Sequence, residues 1–80
     1  MKIHDLREYM ETGREIEFSY LGEMYSVTHT YKEGVQKIHL CHFGDSSATY
    51  SSVDDLLESE MFDGVYLQDI LDHIEDIVIY

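Results

Sequence analysis

The fold is decided by residues 14–43, REIEFSYLGEMYSVTHTYKEGVQKIHLCHF. Apolar and polar residues alternate through three runs of this stretch, which predicts three β-strands. The runs are residues 14–21, 24–31 and 35–43. Single glycines separate them and predict tight hairpin turns at Gly22-Glu23 and Glu33-Gly34. The stretch therefore predicts a three-stranded antiparallel meander.

The two predicted turns agree on which residues face the core. A turn at Gly22-Glu23 places Phe18 opposite Val27, and a turn at Glu33-Gly34 places Val27 opposite Leu40. The same registers pair Ile16 with His29, Tyr20 with Tyr25, His29 with Ile38 and Tyr25 with His42. A turn at Leu21-Gly22 would preserve these faces, but it would hold the bulky Leu21 at positive φ, which is unfavourable.

A short helix is predicted before the meander, over residues 5–12. Asp5 is placed to cap its first turn, and Glu8 follows three residues later as in a capping box. Gly13 suits the left-handed conformation that commonly ends a helix. An apolar face that packs on the sheet is formed by Leu6, Tyr9 and Met10.

Two helices are predicted after the meander. A loop at residues 44–47 and a short fourth strand at 48–50 lead to Ser52, which is placed to cap the first of them. Asp55 follows three residues later, as in a capping box. The inward-facing residues of this helix are Val53, Leu56 and Leu57.

The last helix is predicted to begin near Asp63-Gly64. Asp63 is placed as its cap, and Phe62 and Leu67 would pack together across that cap. The apolar stripe of this helix consists of Leu67, Ile70, Leu71, Ile74, Ile77 and Val78. Residues 77–80 are rich in β-branched side chains and are also compatible with a short strand, which the sequence leaves open.

These elements predict a single α+β domain over residues 1–80. Its short N-terminal helix precedes a three- to four-stranded antiparallel meander, and its two C-terminal helices pack on one sheet face. The other sheet face is predicted to be polar and solvated. That face carries Glu15, Glu17, Ser26, Thr28, Lys37 and His39.

Negative charge is concentrated in the second half of the chain. The net charge is −12, and residues 45–80 hold ten acidic residues but no Lys or Arg. Phosphate contacts need cationic side chains, so neither nucleic acid nor an anionic membrane is an expected partner. A basic protein surface, most concretely that of a nucleic-acid enzyme, is the expected one. A single cysteine, the absence of a long apolar run and the lack of a signal-peptide core predict a cytoplasmic protein.

The histidines and the cysteine of the meander do not predict a catalytic or metal site. His39 and Cys41 share one face of their strand, whereas His29 and His42 are expected on the other. Two ligands are too few for a structural zinc site. Anionic surroundings also disfavour the thiolate that a Cys41 nucleophile would need. We therefore expect no enzyme activity and no cofactor, with His29 and His42 buried or half-buried and His39 exposed.

The candidate partner-binding residues are the acids on the predicted C-terminal helices: Asp54, Asp55, Glu58, Asp69, Asp72, Glu75 and Asp76. Residues three and four apart on a helix lie about 5–6 Å from one another. Asp69, Asp72 and Asp76 would thus form a row of charges about 10 Å long, similar in density to the phosphates of nucleic acid. A solvated helix face that serves only solubility is the alternative.

Three segments resemble short, uncharacterised acidic proteins of Gram-positive bacteria and their phages. They are GREIEFSYLGEMYSV (13–27), YSSVDDLL (50–57) and DGVYLQDI (63–70). In size and acidity the chain is also similar to phage-encoded inhibitors of host defence nucleases, including anti-CRISPR proteins. That likeness implies a nucleic-acid mimic that occupies a basic surface of a nucleic-acid-binding host protein. Self-association through edge strands or the apolar C-terminus, as in a homodimer, is the alternative function.

Overall fold

The computed structural model describes residues 1–45 and 47–80, with the backbone alone at Phe62. Within that part the chain forms three short α-helices and seven β-strands. The helices are α1 (Ile3–Glu11), α2 (Val53–Leu57) and α3 (Leu67–Ile70), the last followed by a 3₁₀ turn at Leu71–His73. The strands are β1 (Ile16–Tyr20), β2 (Glu23–Lys32), β3 (Val35–His42), β4 (Ser47–Tyr50), β5 (Glu60–Phe62), β6 (Val65–Tyr66) and β7 (Glu75–Ile79). The loop position Ser46 and the expected packing of Phe62 on Leu67 lie outside the described residues.

Five of the strands form one antiparallel sheet in the order β4-β3-β2-β1-β7. β5 and β6 form a separate hairpin. The α+β class and the fourth strand are confirmed. The fifth strand, β7, comes from the end of the chain and lies beside β1, where a meander of consecutive strands would have had a free edge.

The first hairpin turns one residue earlier than predicted. Phe18 lies opposite Tyr25 and Ile16 opposite Val27, so the turn residues are Leu21 and Gly22, with φ of 51° and 82°. Two positive φ angles are typical of a type I′ turn, whose twist matches that of the paired strands. The predicted pairing of Phe18 with Val27 was therefore wrong, although the shift of two residues preserves the predicted faces.

The turn at Leu21-Gly22 makes Leu21→Asn a stabilising substitution, by about 1 kcal/mol. A left-handed conformation costs a residue such as Leu about 1–2 kcal/mol, whereas Asn-Gly is the preferred pair in type I′ turns. The Leu21 side chain is 77 % exposed, so little burial is lost. Urea denaturation measures the difference, with Val35→Asn as the matched control at another exposed apolar position. A loss of stability in Leu21→Asn would contradict the turn.

The second hairpin has the predicted register. Tyr25 lies opposite His42 and Val27 opposite Leu40. Its turn residues, Glu33 and Gly34, both have positive φ, which again is typical of a type I′ turn. The sequence prediction is confirmed here because the turn and the apolar alternation of both strands favour the same pairing.

The N-terminal helix begins earlier than predicted. α1 starts at Ile3 and Lys2 precedes it, so Asp5 occupies the third helical position and is not the cap. The Asp5 carboxylate accepts a hydrogen bond from the Lys2 backbone N–H at 3.2 Å, which satisfies a donor that the helix leaves free. The predicted left-handed exit at Gly13 is confirmed, with φ of 76°.

The long C-terminal helix was predicted wrongly. Asp63 and Gly64 form the turn between β5 and β6 instead of capping a helix. α3 is a single turn that ends at Ile70, and residues 75–79 form β7. The alternative prediction of a short strand over residues 77–80 is thus confirmed for residues 77–79. β-branched residues favour a strand once a neighbouring edge is available to pair with, and β1 supplies that edge.

The core lies between the sheet and the helical layer. Its buried apolar residues are Leu6, Met10, Ile16, Phe18, Tyr25, Val27, Ile38, Leu40, Leu56, Leu57, Leu67, Ile70, Leu71 and Ile74. Residues that alternate with them along β1 to β3, such as Ser26, Thr28 and Lys37, lie on the opposite sheet face and are partly or fully exposed. In the described part of the chain, none of the helices has the length and apolar character needed to cross a membrane.

Candidate functional site

The seven predicted binding acids are all exposed, but they do not share helices as expected. Asp54 and Asp55 lie in α2, Glu58 follows it, Asp69 lies in α3, Asp72 in the 3₁₀ turn, and Glu75 and Asp76 in β7. The expected row of Asp69, Asp72 and Asp76 is therefore wrong, because the helix that would align them ends at Ile70. We call Asp54, Asp55 and Glu58 the α2 acids, and Glu75 and Asp76 the β7 acids.

The α2 acids and the β7 acids lie on opposite sides of the domain. α2 packs against β3 and β4, whereas β7 is the edge strand at the other end of the sheet. Neighbouring strands are about 4.8 Å apart, so the four gaps between β4 and β7 span about 19 Å. A partner that contacts both groups must present two separate cationic patches.

Arg7 of α1 partly neutralises the α2 acids. Arg7 donates a hydrogen bond to the carboxylate of Asp54. Lys2, His4 and Arg7 also line one shallow depression together with Asp72. Asp55, Glu58 and Glu75, by contrast, form no ion pair with any residue in the described part of the chain.

Two of the predicted binding acids hold the fold together. The Asp69 carboxylate accepts a hydrogen bond from the Tyr66 backbone N–H at 3.0 Å, at the start of α3. The Asp76 carboxylate accepts one from the buried Ser19 hydroxyl at 2.7 Å. Asp76 also adopts a positive φ of 52° at the bulge where β7 changes register against β1. The sequence analysis predicted neither role, because the Asp69 role depends on where α3 begins and the Asp76 role on the strand that replaces the predicted helix.

The histidines of the meander are distributed between two faces, as predicted. His39 lies on the face opposite the helices, with its ring nitrogens 3.0 Å from the Thr30 hydroxyl and 3.1 Å from the Thr49 hydroxyl. It is half-buried, so its expected full exposure was wrong. Among the described residues, no group of three or more His, Cys, Asp or Glu side chains is arranged to hold a metal ion.

His29 carries an unsatisfied polar atom. Its Nδ1 is buried and has no hydrogen-bond partner within residues 1–45 and 47–80. The ring packs edge-on against Tyr31, with centroids 5.7 Å apart. A buried nitrogen without a partner destabilises a fold, and no binding role follows from it.

A stack of three rings crosses the sheet on its core face. Phe18, Tyr25 and His42 come from β1, β2 and β3, with centroid distances of 5.3 Å and 4.7 Å and nearly parallel planes. A surface cleft of about 320 Å³ opens beside the outer end of this stack. Its lining residues are Tyr25, Leu40, His42, Asp45, Ala48, Tyr50, Glu60 and Met61. We call this feature the aromatic cleft.

Sequence reasoning missed the aromatic cleft. The predicted pairing of Tyr25 with His42 did indicate that these two residues of the cleft lie side by side, since paired residues share a face. β5, which supplies Glu60 and Met61, was not predicted at all. The cleft therefore depends on a hairpin that only the tertiary structure reveals.

Two carboxylates hold the His42 ring at the mouth of the cleft. His42 Nε2 lies 3.0 Å from Glu23 Oε2, and Nδ1 lies 3.4 Å from Asp45 Oδ2. The hydrogen bond with Glu23 is the main reason why the pKa of His42 is raised, and the contact with Asp45 adds to it against the opposing effect of burial. Burial, followed by the charge of Glu23, raises the pKa of the Tyr25 phenol.

The His42 contacts predict a pH-dependent contribution to stability. Because the pKa is raised in the folded state, this contribution is fully present below the unfolded value of about 6.5 and is lost as the pH rises through the folded value. We expect the unfolding free energy of wild type to fall from pH 6 to pH 8.5 relative to His42→Gln. Urea denaturation across that range measures the difference. His73→Gln, at an exposed position, is the control; an equal effect of both substitutions would contradict the prediction.

Comparison of the chain with protein-family models, with curated proteins and with solved structures gave no significant match. No activity or partner is therefore carried over from a relative.

Proposed function

We propose that the chain is a non-enzymatic protein-binding domain that docks on a basic protein surface. The observation that carries this proposal is the set of exposed carboxylates that find no ion-pair partner among the described residues, namely Asp55, Glu58, Asp69, Asp72, Glu75 and Asp76. Like charges on one small domain repel one another. A cationic partner relieves this repulsion, and its attraction to the carboxylates guides it to the surface.

The most concrete form of this function is an inhibitor, encoded by a phage or mobile element, of a nucleic-acid-binding host protein. The net charge of −12 supports it, since such a host protein carries a basic surface. Mimicry by a single helical row of aspartates is not part of this proposal. The α2 acids and the β7 acids, which lie towards opposite edge strands of the sheet, would instead contact two basic patches of one partner.

Capture of a partner from a lysate of the source organism, at about 50 mM and about 300 mM salt, tests the proposal. The bait is wild type or a variant with Asp55→Asn, Glu58→Gln, Asp72→Asn and Glu75→Gln. We expect a basic nucleic-acid-binding protein to be retained by wild type at low salt, and to be lost at high salt or with the variant. Both baits are first shown to be folded by circular dichroism.

A control bait separates a specific surface from bulk charge. Glu8→Gln, Glu11→Gln, Glu33→Gln and Asp63→Asn change the net charge equally at other exposed positions. This bait should retain the partner. Equal loss with both variants would mean that only the overall charge matters, and capture that is insensitive to all four acids would overturn the proposed surface.

A second candidate function, self-association, is favoured by the geometry of β7. The Tyr80 backbone N–H donates to the Glu15 carbonyl at 2.8 Å. Because successive residues of a strand point their N–H and C=O groups to alternate sides, those of Ile79 and Ile77 point away from β1. Ile77 and Val78 are also 40 % and 45 % exposed. Two β7 strands centred on Val78 could pair about a two-fold axis, with Ile77 of one copy opposite Ile79 of the other.

The two candidate functions differ in the sign of their salt dependence. Two copies with a charge of −12 each repel one another, so salt should strengthen a homodimer, whereas it weakens docking on a basic partner. Sedimentation equilibrium at low and high salt measures the dimer fraction. Val78→Glu should abolish it by placing like charges opposite each other, and Val35→Glu is the control. A monomer at all salt concentrations excludes self-association.

A further inference from the structure

We propose that the aromatic cleft receives the side chain of a lysine or arginine from the protein partner. This inference rests on the proposed function, because a basic surface presents such side chains. It adds a specific anchoring position to a surface that otherwise acts through dispersed charge. An anchor of this kind, buried in a pocket, commonly contributes more to affinity than the surrounding contacts.

The walls of the cleft suit the apolar stem of a cationic side chain. Tyr25, Tyr50, Leu40 and Met61 line it, and the methylene groups of Lys and Arg pack well on such surfaces. Tyr50 also offers an aromatic ring, whose face attracts a nearby cation, whereas the faces of the Tyr25 ring are covered by Phe18 and His42. The volume of about 320 Å³ lies within the range of small-ligand sites, about 300–1,000 Å³.

The charged groups of the cleft select a cation. Asp45 and Glu60 line it, and Glu23 lies at its edge through the contact with His42. Asp45 is 67 % exposed at its side chain, so its carboxylate is accessible to a ligand although it also lies 3.4 Å from His42 Nδ1. The described lining residues include no Lys or Arg. An anionic ligand such as a phosphate would be repelled, and a neutral one would leave Glu60 without an ion-pair partner among the described residues.

Among the described residues, no Lys or Arg is placed to fill the cleft; the His42 ring, whose raised pKa favours its cationic form, lies between Glu23 and Asp45. Arg7 binds Asp54, Arg14 donates to the Tyr80 carbonyl, and Lys37 lies 3.3 Å from the Ser51 hydroxyl. Lys2 precedes α1, and Lys32 ends β2 at the opposite end of that strand from Tyr25. The Glu60 carboxylate, which forms no ion pair among the described residues, is therefore available to a second molecule, and the excess of acids over bases in the whole chain favours a cationic one.

The test is a titration with n-butylammonium, which reproduces a lysine side chain, followed by ¹H–¹⁵N and aromatic NMR. 1-Butanol, of equal length and without charge, is the matched probe. We expect saturable shifts confined to Tyr25, His42, Tyr50 and Met61 with butylammonium, in the millimolar range, and binding about tenfold weaker with butanol. Equal binding of the two probes, or shifts spread over all acidic positions, would overturn the assignment.

Paired variants then separate the cleft from general electrostatics. Asp45→Asn with Glu60→Gln should weaken butylammonium binding about fivefold or more, with the fold checked by the same spectra. Glu8→Gln with Glu33→Gln changes the net charge equally at exposed positions far from the cleft lining and should leave binding unchanged. Equal weakening by both pairs contradicts the inference.

Failure of the cleft assignment can be distinguished from failure of the proposed docking function. If butylammonium does not bind while capture of a basic partner still depends on the α2 and β7 acids, only the cleft assignment is overturned. If butylammonium binds and no basic partner is captured, the cleft assignment stands as a cation site and the docking function fails.

Discussion

Phe18→Ala should lower the free energy of unfolding by about 3–5 kcal/mol, the usual cost of removing a buried aromatic ring. At about 0.05–0.15 kcal/mol per residue, a chain of 80 residues has a total stability of only about 4–12 kcal/mol. The loss is therefore expected to be a large fraction of the total stability.

The position of Phe18 explains the size of this effect. The side chain is 1 % exposed and lies on β1, between β2 and β7 in the sheet. Its ring stacks on Tyr25 with centroids 5.3 Å apart, and Tyr25 in turn stacks on His42. Loss of the ring leaves a cavity in a small core and also removes the support of the aromatic cleft.

Urea and thermal denaturation, followed by circular dichroism, measure the loss. Phe43→Ala is the matched control, because the same ring is removed from a side chain that is 47 % exposed; we expect a loss below about 1 kcal/mol there. Similar losses in the two variants would show that Phe18 is not a core residue. Phe18→Leu should retain more stability than Phe18→Ala and yet weaken butylammonium binding, since it removes only the stacked ring.

Asp76→Ala should destabilise the protein by about 2 kcal/mol, although Asp76 is an exposed acid in an already acidic protein. Two physical effects contribute. The buried Ser19 hydroxyl loses its acceptor, which costs about 1–3 kcal/mol. Alanine also tolerates the left-handed backbone at φ 52° less well than Asp, whose short polar side chain can bond locally.

Asp76→Asn and Glu75→Ala are the controls for this prediction. Asparagine retains an acceptor oxygen and the left-handed preference while it removes the charge, so its stability should stay close to wild type. Glu75 is exposed in the same strand and its side chain forms no hydrogen bond with the described residues, so its replacement should change stability by less than about 0.5 kcal/mol. If Asp76→Asn were as destabilising as Asp76→Ala, the charge and not the hydrogen bond would be responsible.

This comparison matters for the proposed function. Asp76 was predicted as a partner-binding residue from its charge, and the structure gives it a role in β7 as well. Asp76→Asn therefore tests binding without disturbing the bulge, whereas Asp76→Ala would lower partner capture through unfolding alone. The acids without such a role, Asp55, Glu58 and Glu75, are the better positions for charge-removing variants.

Local signals predicted the elements in which the turn or cap residue and the apolar pattern indicate the same position. The turn at Glu33-Gly34, the register of β2 with β3 and the cap at Ser52 are of this kind; the Asp55 backbone N–H donates to the Ser52 hydroxyl at 3.1 Å. In each case the turn or cap residue lies at the position that the apolar pattern also requires.

The wrong predictions concern residues whose local preference loses to a distant contact. Leu21 disfavours positive φ, yet it adopts it because a type I′ turn fits the twist of β1 and β2. Residues 74–78 continue a helical apolar pattern, yet β7 forms because β1 offers an unpaired edge some sixty residues earlier in the chain. A local window of sequence does not contain that edge, so the helical periodicity predicted a longer helix than the one that forms.

The sequence by itself determined the α+β class, the apolar and polar faces of the meander and the net charge of −12, since composition and alternation of side chains are sufficient for these. Only the tertiary structure decided where the charges lie. It divided the acids between α2 and β7, and it placed the Asp76 carboxylate where it accepts a hydrogen bond from the Ser19 hydroxyl. It also brought Glu60 and Met61 beside Tyr25 and His42. The physical reason is that sheet edges and clefts are formed by segments remote in sequence, whose pairing depends on the whole chain.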